Sequence, residues 1–291
     1  MARRSTLFAL AGVAALTAAA AACAPASDKS SSSSAPAAAS SSASCAKDQL
    51  NLYTKGQLTI GTDKPAYEPW FKNNDPSNGQ GFESAVAYAV ATKLGFAKSE
   101  VKWATVPFDS SYAPGAKKFD FDVNQVSITP ERAKVVTFSD GYYDVAQGVV
   151  TMKGSKYASL TSVSQLQSAK IAVQVGTTSL TAVQNQIKPT TQAKVFNDQV
   201  DAVNALKNKQ VDAIVVDLPT AFYVTAAQVP NSVIAGQLPA SGTAEQFGML
   251  FQKGNSLVTC VNQALSQVKS SGELAKIQQQ WITSAGAPVL K

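Results

Sequence analysis

Histidine is absent from all 291 residues. That one absence removes imidazole acid–base chemistry, Ser-His-Asp and Cys-His nucleophile activation, and histidine-ligated metal. Charged residues make up only 15% of the chain, and the net charge of +6 is carried without any basic run interleaved with aromatics. A nucleic-acid partner therefore has no support. No G-x-x-x-x-G-K sequence is present, so phosphate binding has no motif to rest on, and neither a cofactor nor a metal is expected. What remains is a hydrophobic content of 45%, which suits an ordinary globular protein with a sizeable core.

The N-terminus carries an address. Arg3 and Arg4 precede an uncharged apolar stretch from Leu7 to Ala22, and Cys23 follows. A positive start, a short apolar core and small residues before a cut read as a signal peptide over residues 1–22. The alternative, a transmembrane anchor, needs roughly 20 apolar residues, more than this stretch supplies. A cysteine directly after small residues resembles the lipobox of bacterial lipoproteins, with Ala20 at the position where that pattern prefers leucine. Cys23 is therefore expected to be acylated as the first residue of the mature chain. Residues 23–46 are dominated by Ser, Ala and Pro and carry no apolar periodicity, which makes them a tether. Its r.m.s. reach is about 25 Å. The expected location is the outer face of the cell membrane, with the folded body held near the surface and not inserted.

Two further cysteines, Cys45 and Cys260, form an even pair in a chain expected to be exported. An oxidising compartment favours a disulfide between them, and two buried free thiols are the alternative. The bridge would return the C-terminal region to the start of the folded body.

Downstream, short β-type runs alternate with helical patterns. Leu58-Thr-Ile-Gly-Thr62 reads as a strand, and Phe82, Val86, Ala89, Val90 and Leu94 mark one face of a helix that stops at Gly95. Strands are expected at Val101 to Val106 and Asp122 to Ile128, with a short helical stretch between them that ends at Lys118. A second series follows: strand Lys170–Gly176, a helix from Thr178, strand Lys194–Phe196, helix Asp198–Lys209, strand Val211–Val216 and helix Pro219–Gln228. This alternation predicts an α/β architecture in two lobes with mainly parallel sheets. The final stretch, Phe247–Gln252 with helices Leu257–Lys269 and Leu274–Trp281, is too small to stand alone. With the disulfide it rejoins the first lobe, so the chain crosses between lobes twice, as in a hinge. Ligands in open α/β sheets sit beyond the carboxyl ends of strands, which points to the cleft between the lobes.

Four places in that cleft carry candidate chemistry. Arg132 lies in Ser127-Ile-Thr-Pro-Glu-Arg132, with Thr129 placed to cap a helix that Pro130 opens. Its guanidinium suits a bidentate carboxylate, or else it is a solvated arginine paired with Glu131 or Asp140. Gly176-Thr-Thr-Ser179 follows a strand and opens a helix, where free N–H groups favour an anion or serve as an ordinary cap. Asp217 ends the apolar strand from Val211, placed to meet an ammonium group or to cap the helix at Pro219. Asp63 ends the first strand and precedes Tyr67, Glu68 and Trp70, aromatics that flank a ligand or pack a rim. Together these groups make the inventory for a zwitterionic amino acid.

The chain from about Gln57 to Trp281 resembles the family 3 extracellular solute-binding proteins, the amino-acid-binding components of bacterial ABC importers. The resemblance is carried by Leu58-Thr-Ile-Gly-Thr-Asp63, Gly81-Phe-Glu83, Phe108-Asp-Ser110, Lys118-Phe-Asp120 and Ser127-Ile-Thr-Pro-Glu-Arg132. It continues through Phe138-Ser-Asp-Gly-Tyr-Tyr143, Gln174-Val-Gly-Thr-Thr-Ser179, Val211-Asp-Ala213 with Asp217, Lys253-Gly-Asn255 and Gly272-Glu-Leu274. It implies a two-lobed type II periplasmic-binding-protein fold with a two-strand hinge. The lobes are expected over residues 47–145 with 239–291, and over residues 146–238. By position, Arg132 would hold the α-carboxylate with the main-chain N–H groups of Ser127 and Thr178. Asp217 would take the α-ammonium with Ser127 and the carbonyl of Gln125. Tyr67 and Phe108 would flank the side chain, with Asp63 at its far end, where Asp63 and Glu68 favour a polar or basic ligand. The implied partners are a free amino acid and the membrane permease subunits of an ABC importer, served by a monomer that is not an enzyme.

Two other functions compete. The same fold resembles cyclohexadienyl dehydratase, for which Glu68 is the nearest candidate acid or base. A ligand-sensing ectodomain that works with a membrane receptor is the other.

Overall fold

The computed structural model describes residues 45–242, 244–283 and 286–291. The expected signal peptide, Cys23 and nearly all of the tether lie outside these residues. In chain order the first lobe starts with β1 Leu58–Thr62, α1 Phe82–Lys93, β2 Val101–Thr105, α2 Phe108–Ser111, β3 Phe121–Asp122, α3 Pro130–Ala133 and β4 Val136–Phe138. The chain then crosses through β5 Tyr143–Val145 into β6 Gln147–Met152, β7 Ile171–Gln174, α4 Thr178–Ala182, β8 Lys194–Phe196, α5 Gln199–Lys207, β9 Ala213–Asp217, α6 Leu218–Tyr223 and β10 Ser232–Gln237. It returns through β11 Glu245–Phe247 to β12 Leu250–Gln252, α7 Leu257–Ser270 and α8 Glu273–Trp281.

Two five-stranded sheets result, ordered β2-β1-β3-β12-β4 and β10-β6-β9-β7-β8, and the crossing strands β5 and β11 pair antiparallel as a separate two-stranded ribbon. The sheets are mixed, where the βα alternation predicted mainly parallel ones. β2, β1 and β3 run parallel, as do β9, β7 and β8, because helical crossovers join them. β12 runs antiparallel to β3 and β4, and β6 runs antiparallel to β9 and β10. These strands directly follow a crossing and so enter their sheets from the opposite end.

Helix α1 forms where the spacing predicted it. Its buried Phe82, Val86, Ala89 and Val90 pack under the first sheet, and it ends before Gly95, whose φ of 87° is the left-handed turn that glycine tolerates best. Gly81 caps its start, and a side chain there would sit 2.4 Å from the Trp70 carbonyl oxygen. Helix α7 buries Leu257, Cys260, Val261, Ala264, Leu265 and Val268 on one face, the stripe of an amphipathic helix docked on a core. Cys260 is joined to Cys45 by a disulfide, with Cα atoms 5.4 Å apart, so the C-terminal helices are tied to the start of the body.

Two expectations need correction. The strand from Asp122 to Ile128 stops at Asp122, because Gln125 takes a left-handed φ of 51°. The buried carboxyl of Glu83 accepts the Gln125 backbone N–H at 2.8 Å and its side-chain amide as well, which holds the chain out of the ladder. The last residues also do not stay with the first lobe. Val289 bridges to Gln237 on β10, Leu290 is buried in the core of the second lobe, and the Val163 N–H donates to the Lys291 carbonyl at 2.9 Å. Among the described residues no helix is long and apolar enough to cross a membrane.

Candidate functional site

The cleft forms where the carboxyl ends of β1 and β3 face those of β7 and β9. Asp63, Tyr67, Phe108 and Gln125 from the first lobe meet Thr178 and Asp217 from the second around a cavity of about 40 Å3. Six of the eight sequence-derived ligand residues therefore line one space. Ser127 and Arg132 stand directly behind them, both buried.

Arg132 sits on the short helix α3, which Pro130 opens and Thr129 caps, its hydroxyl accepting the Arg132 N–H at 3.2 Å. The guanidinium donates to the Ser127 carbonyl and, across the cleft, to the Gly176 carbonyl, each at 2.8 Å. It stacks on Tyr112, 4.6 Å from the ring centroid, with Phe108 at 5.4 Å. At 7% exposure it is not a solvated arginine, and it forms no ion pair with Glu131 or Asp140. A buried cation held only by carbonyls and rings retains its charge for an anion.

Asp217 ends β9 and lies in direct register with Gln147 on β6. The Gln147 amide donates to Asp217 Oδ1 at 2.9 Å and to Glu245 Oε2 at 3.2 Å. Ser179, in the first turn of α4, donates to the Gln147 carbonyl oxygen at 2.5 Å and so fixes which way the amide faces. Burial, then the nearby Glu245, pushes the Asp217 carboxyl up to about 8, against the lowering effect of the Gln147 bond. Ser127 Oγ donates to Glu245 Oε1 at 2.5 Å and lies 3.4 Å from Thr178 Oγ1. Asp217 thus stands in a compact group of acids, hydroxyls and one amide.

The opposite end of the cavity is also acidic. Asp63 accepts the N–H groups of Lys64 at 2.6 Å and Phe108 at 3.3 Å. Burial raises its carboxyl above the usual range, and the neighbouring charges of Asp109 and Asp198 push the same way. Glu68 does not line the cavity. It pairs with Lys72 at 2.8 Å, away from the position the dehydratase reading gave it.

Sequence reasoning missed Gln147, Glu245, Glu83 and the Trp70–Thr220 contact. Glu83 lies inside the stretch Gly81-Phe-Glu83, but nothing in that motif tells that its buried carboxyl holds Gln125 and the Tyr142 hydroxyl. Trp70 Nε1 donates to Thr220 Oγ1 at 3.0 Å, joining the two lobes with both side chains buried. The residues between Asp63 and Trp70 signalled aromatics but no partner for them. Among the described residues no cluster of three or more Cys, Asp or Glu could hold a metal ion.

The pattern of the bacterial extracellular solute-binding proteins, family 3, matches residues 58–284. The arginine-binding extracellular protein ArtP of Bacillus subtilis is 29% identical over 79% of this chain and 87% of its own length. The structure of an ancestral arginine-binding protein bound to glutamine superposes with a TM-score of 0.67 at 32% identity, covering 78% of this chain and 98% of that one. The ancestral amino acid-binding protein AncCDT-1, a precursor of cyclohexadienyl dehydratase, superposes with a TM-score of 0.66 at 30% identity, covering 78% and 96%.

Proposed function

Because the chain belongs to the bacterial extracellular solute-binding proteins, family 3, we propose that its cleft captures a free amino acid outside the cytoplasm and delivers it to an ABC importer. One observation carries the reading. A buried Arg132 without an ion pair and a half-buried Asp217 stand on opposite lobes of one cleft, with acids at the far end of the cavity. Arg132, with the main-chain N–H groups of Ser127 and Thr178, takes the α-carboxylate. To reach it the carboxylate displaces the Gly176 carbonyl from the guanidinium. Asp217, Ser127 and the Gln125 carbonyl take the α-ammonium. Tyr67 and Phe108 flank the side chain, and Asp63, with Asp109 and Asp198 behind it, favours a basic or polar end.

Capture without chemistry is supported by the relatives, which are named as binding proteins, and by Glu68 lying outside the cavity. The working form is a monomer whose lobes, residues 47–145 with 239–287 and residues 146–238 with 288–291, close on the ligand. Acylated Cys23 and the Ser/Ala-rich tether hold it at the outer membrane face beside its permease.

A thermal-shift screen of the common amino acids tests the reading, because a ligand that binds only the native state raises its melting temperature. Stabilisation by arginine, lysine or glutamine is expected. No response to any amino acid would end it.

A further inference from the structure

Glu245 has no role in the reading above and stands behind the cavity lining, yet it accepts hydrogen bonds from Ser127 and from Gln147, the residue that also bonds Asp217. Two strand registers put it there. Glu245 pairs with Val145 across the crossing ribbon, and Gln147, two residues on, pairs with Asp217. One side-chain amide consequently reaches both carboxyls, Asp217 at 2.9 Å and Glu245 at 3.2 Å. Two acids within hydrogen-bond range of a single nitrogen are arranged for a second nitrogen donor of similar size. Neither acid forms an ion pair, those among the described residues being Lys47–Glu100, Lys72–Glu68 and Lys93–Glu273, and only the Arg132 charge acts on both through space. Arg132, the nearest positive group, donates to the Ser127 and Gly176 carbonyls instead. Ser127, which also serves the ligand's main chain, already donates to Glu245 at 2.5 Å.

We propose that Glu245 is a second acceptor for the ligand α-ammonium, acting beside Asp217 to set the preference for amino acids over their amino-free counterparts. An ammonium has three N–H donors and no acceptor. Asp217, Glu245 and the Gln125 carbonyl take all three, Glu245 standing in for the Ser127 hydroxyl that donates to it, so none is left unsatisfied on closure. Glu245 enters from the strand on which the chain returns to the first lobe, whereas Asp217 belongs to the second lobe. Contact with both is therefore completed when the lobes are together. A purely structural Glu245 would only tie the returning strand to Ser127 and Gln147.

The inference rests on the amino-acid reading, and the experiment separates the two. Calorimetry on the full chain measures L-arginine and L-glutamine, together with 5-guanidinopentanoate and 5-amino-5-oxopentanoate, the same molecules without the α-amino group. If wild-type protein binds neither, the pair is replaced by the amino acid that stabilises it most and its amino-free counterpart, and a protein that binds no amino acid at all overturns the parent reading and this inference with it. If wild type binds, Glu245→Gln is expected to weaken the amino acids by about ten- to a hundredfold, the worth of a charged hydrogen bond. The amino-free pair should change by less than about threefold. Equal losses for both classes, or no loss at all, overturn the inference and leave the function standing. Glu245→Asp, which keeps the charge on a shorter stem, should lose less than the glutamine variant and again only for the amino acids. If the glutamine variant does not fold, the aspartate variant decides by the same comparison.

Discussion

Gln147 and Asp217 stand opposite each other on neighbouring antiparallel strands, and the glutamine amide donates to the aspartate at 2.9 Å. This single bond does not offset the burial of the carboxyl, which is pushed up to about 8. Near pH 7 the ligand-free site therefore holds a proton on Asp217. A ligand ammonium favours the ionised form, so binding expels that proton. Affinity is expected to rise from about pH 6 to about pH 8, by at most about tenfold per pH unit, and to level off above. Calorimetry near pH 7 in buffers of different ionisation heat should read release of up to one proton per ligand.

The same shift sets a stability trend of opposite sign to the usual carboxylate. Asp217 at about 8 and Glu83 at about 7, the latter raised by burial against bonds from Tyr142 and Gln125, both lie above their unfolded values. The folded state then binds more protons than the unfolded chain, so stability is lost as pH rises from about 4 toward about 8. Asp217→Asn should flatten the upper part of this decline in ligand-free melting curves recorded across that range.

Removing Arg132 leaves the ligand carboxylate buried without its cation. Arg132→Ala should cost about 3–5 kcal/mol of binding, or roughly two to four decades in affinity, for every amino acid. Arg132→Lys should recover only part of this, because a point charge lacks the planar fork. Titration calorimetry reads both, and an alanine variant within about threefold of wild type would end the amino-acid reading.

Asp63 reports on the ligand's far end alone. Asp63→Ala should weaken arginine, lysine and glutamine while sparing ligands with short side chains, a change in ranking and not a uniform loss. Competition titrations against one reporter ligand measure that ranking directly.

The Trp70–Thr220 bond joins the two lobes beside the crossing strands. Trp70→Phe keeps the aromatic packing against Phe82, Tyr143 and Phe247 but removes the donor. Loss of one buried hydrogen bond, about 0.5–1.5 kcal/mol, should appear as a roughly two- to tenfold faster ligand release in stopped-flow chase. Thr220→Val should give the same release rate, and the double variant should add little to either.

Local pattern was enough for much of this protein. The absence of histidine, the α1 stripe ending at Gly95, the Thr129–Pro130 helix start, and the placing of Arg132, Thr178 and Asp217 at strand and helix ends are short-range signals. Each depends on neighbours within a few residues, where steric and hydrogen-bond preferences act directly. The pairing of Cys45 with Cys260 was legible for a different reason, since only two cysteines follow Cys23. Strand direction was not legible at this range, because antiparallel entry of β6 and β12 depends on where the chain crosses between lobes. The Glu245–Gln147–Asp217 group belongs to the same class. Its members come from three strands and meet through two registers, so no spacing along the chain announces them. Nor does any local preference tell that Glu83 bends the chain at Gln125 or that Trp70 finds Thr220. Residue types and local geometry limited what each segment was able to be, but which buried polar groups share a donor is decided only when distant strands pack, because desolvation and hydrogen bonding act through space.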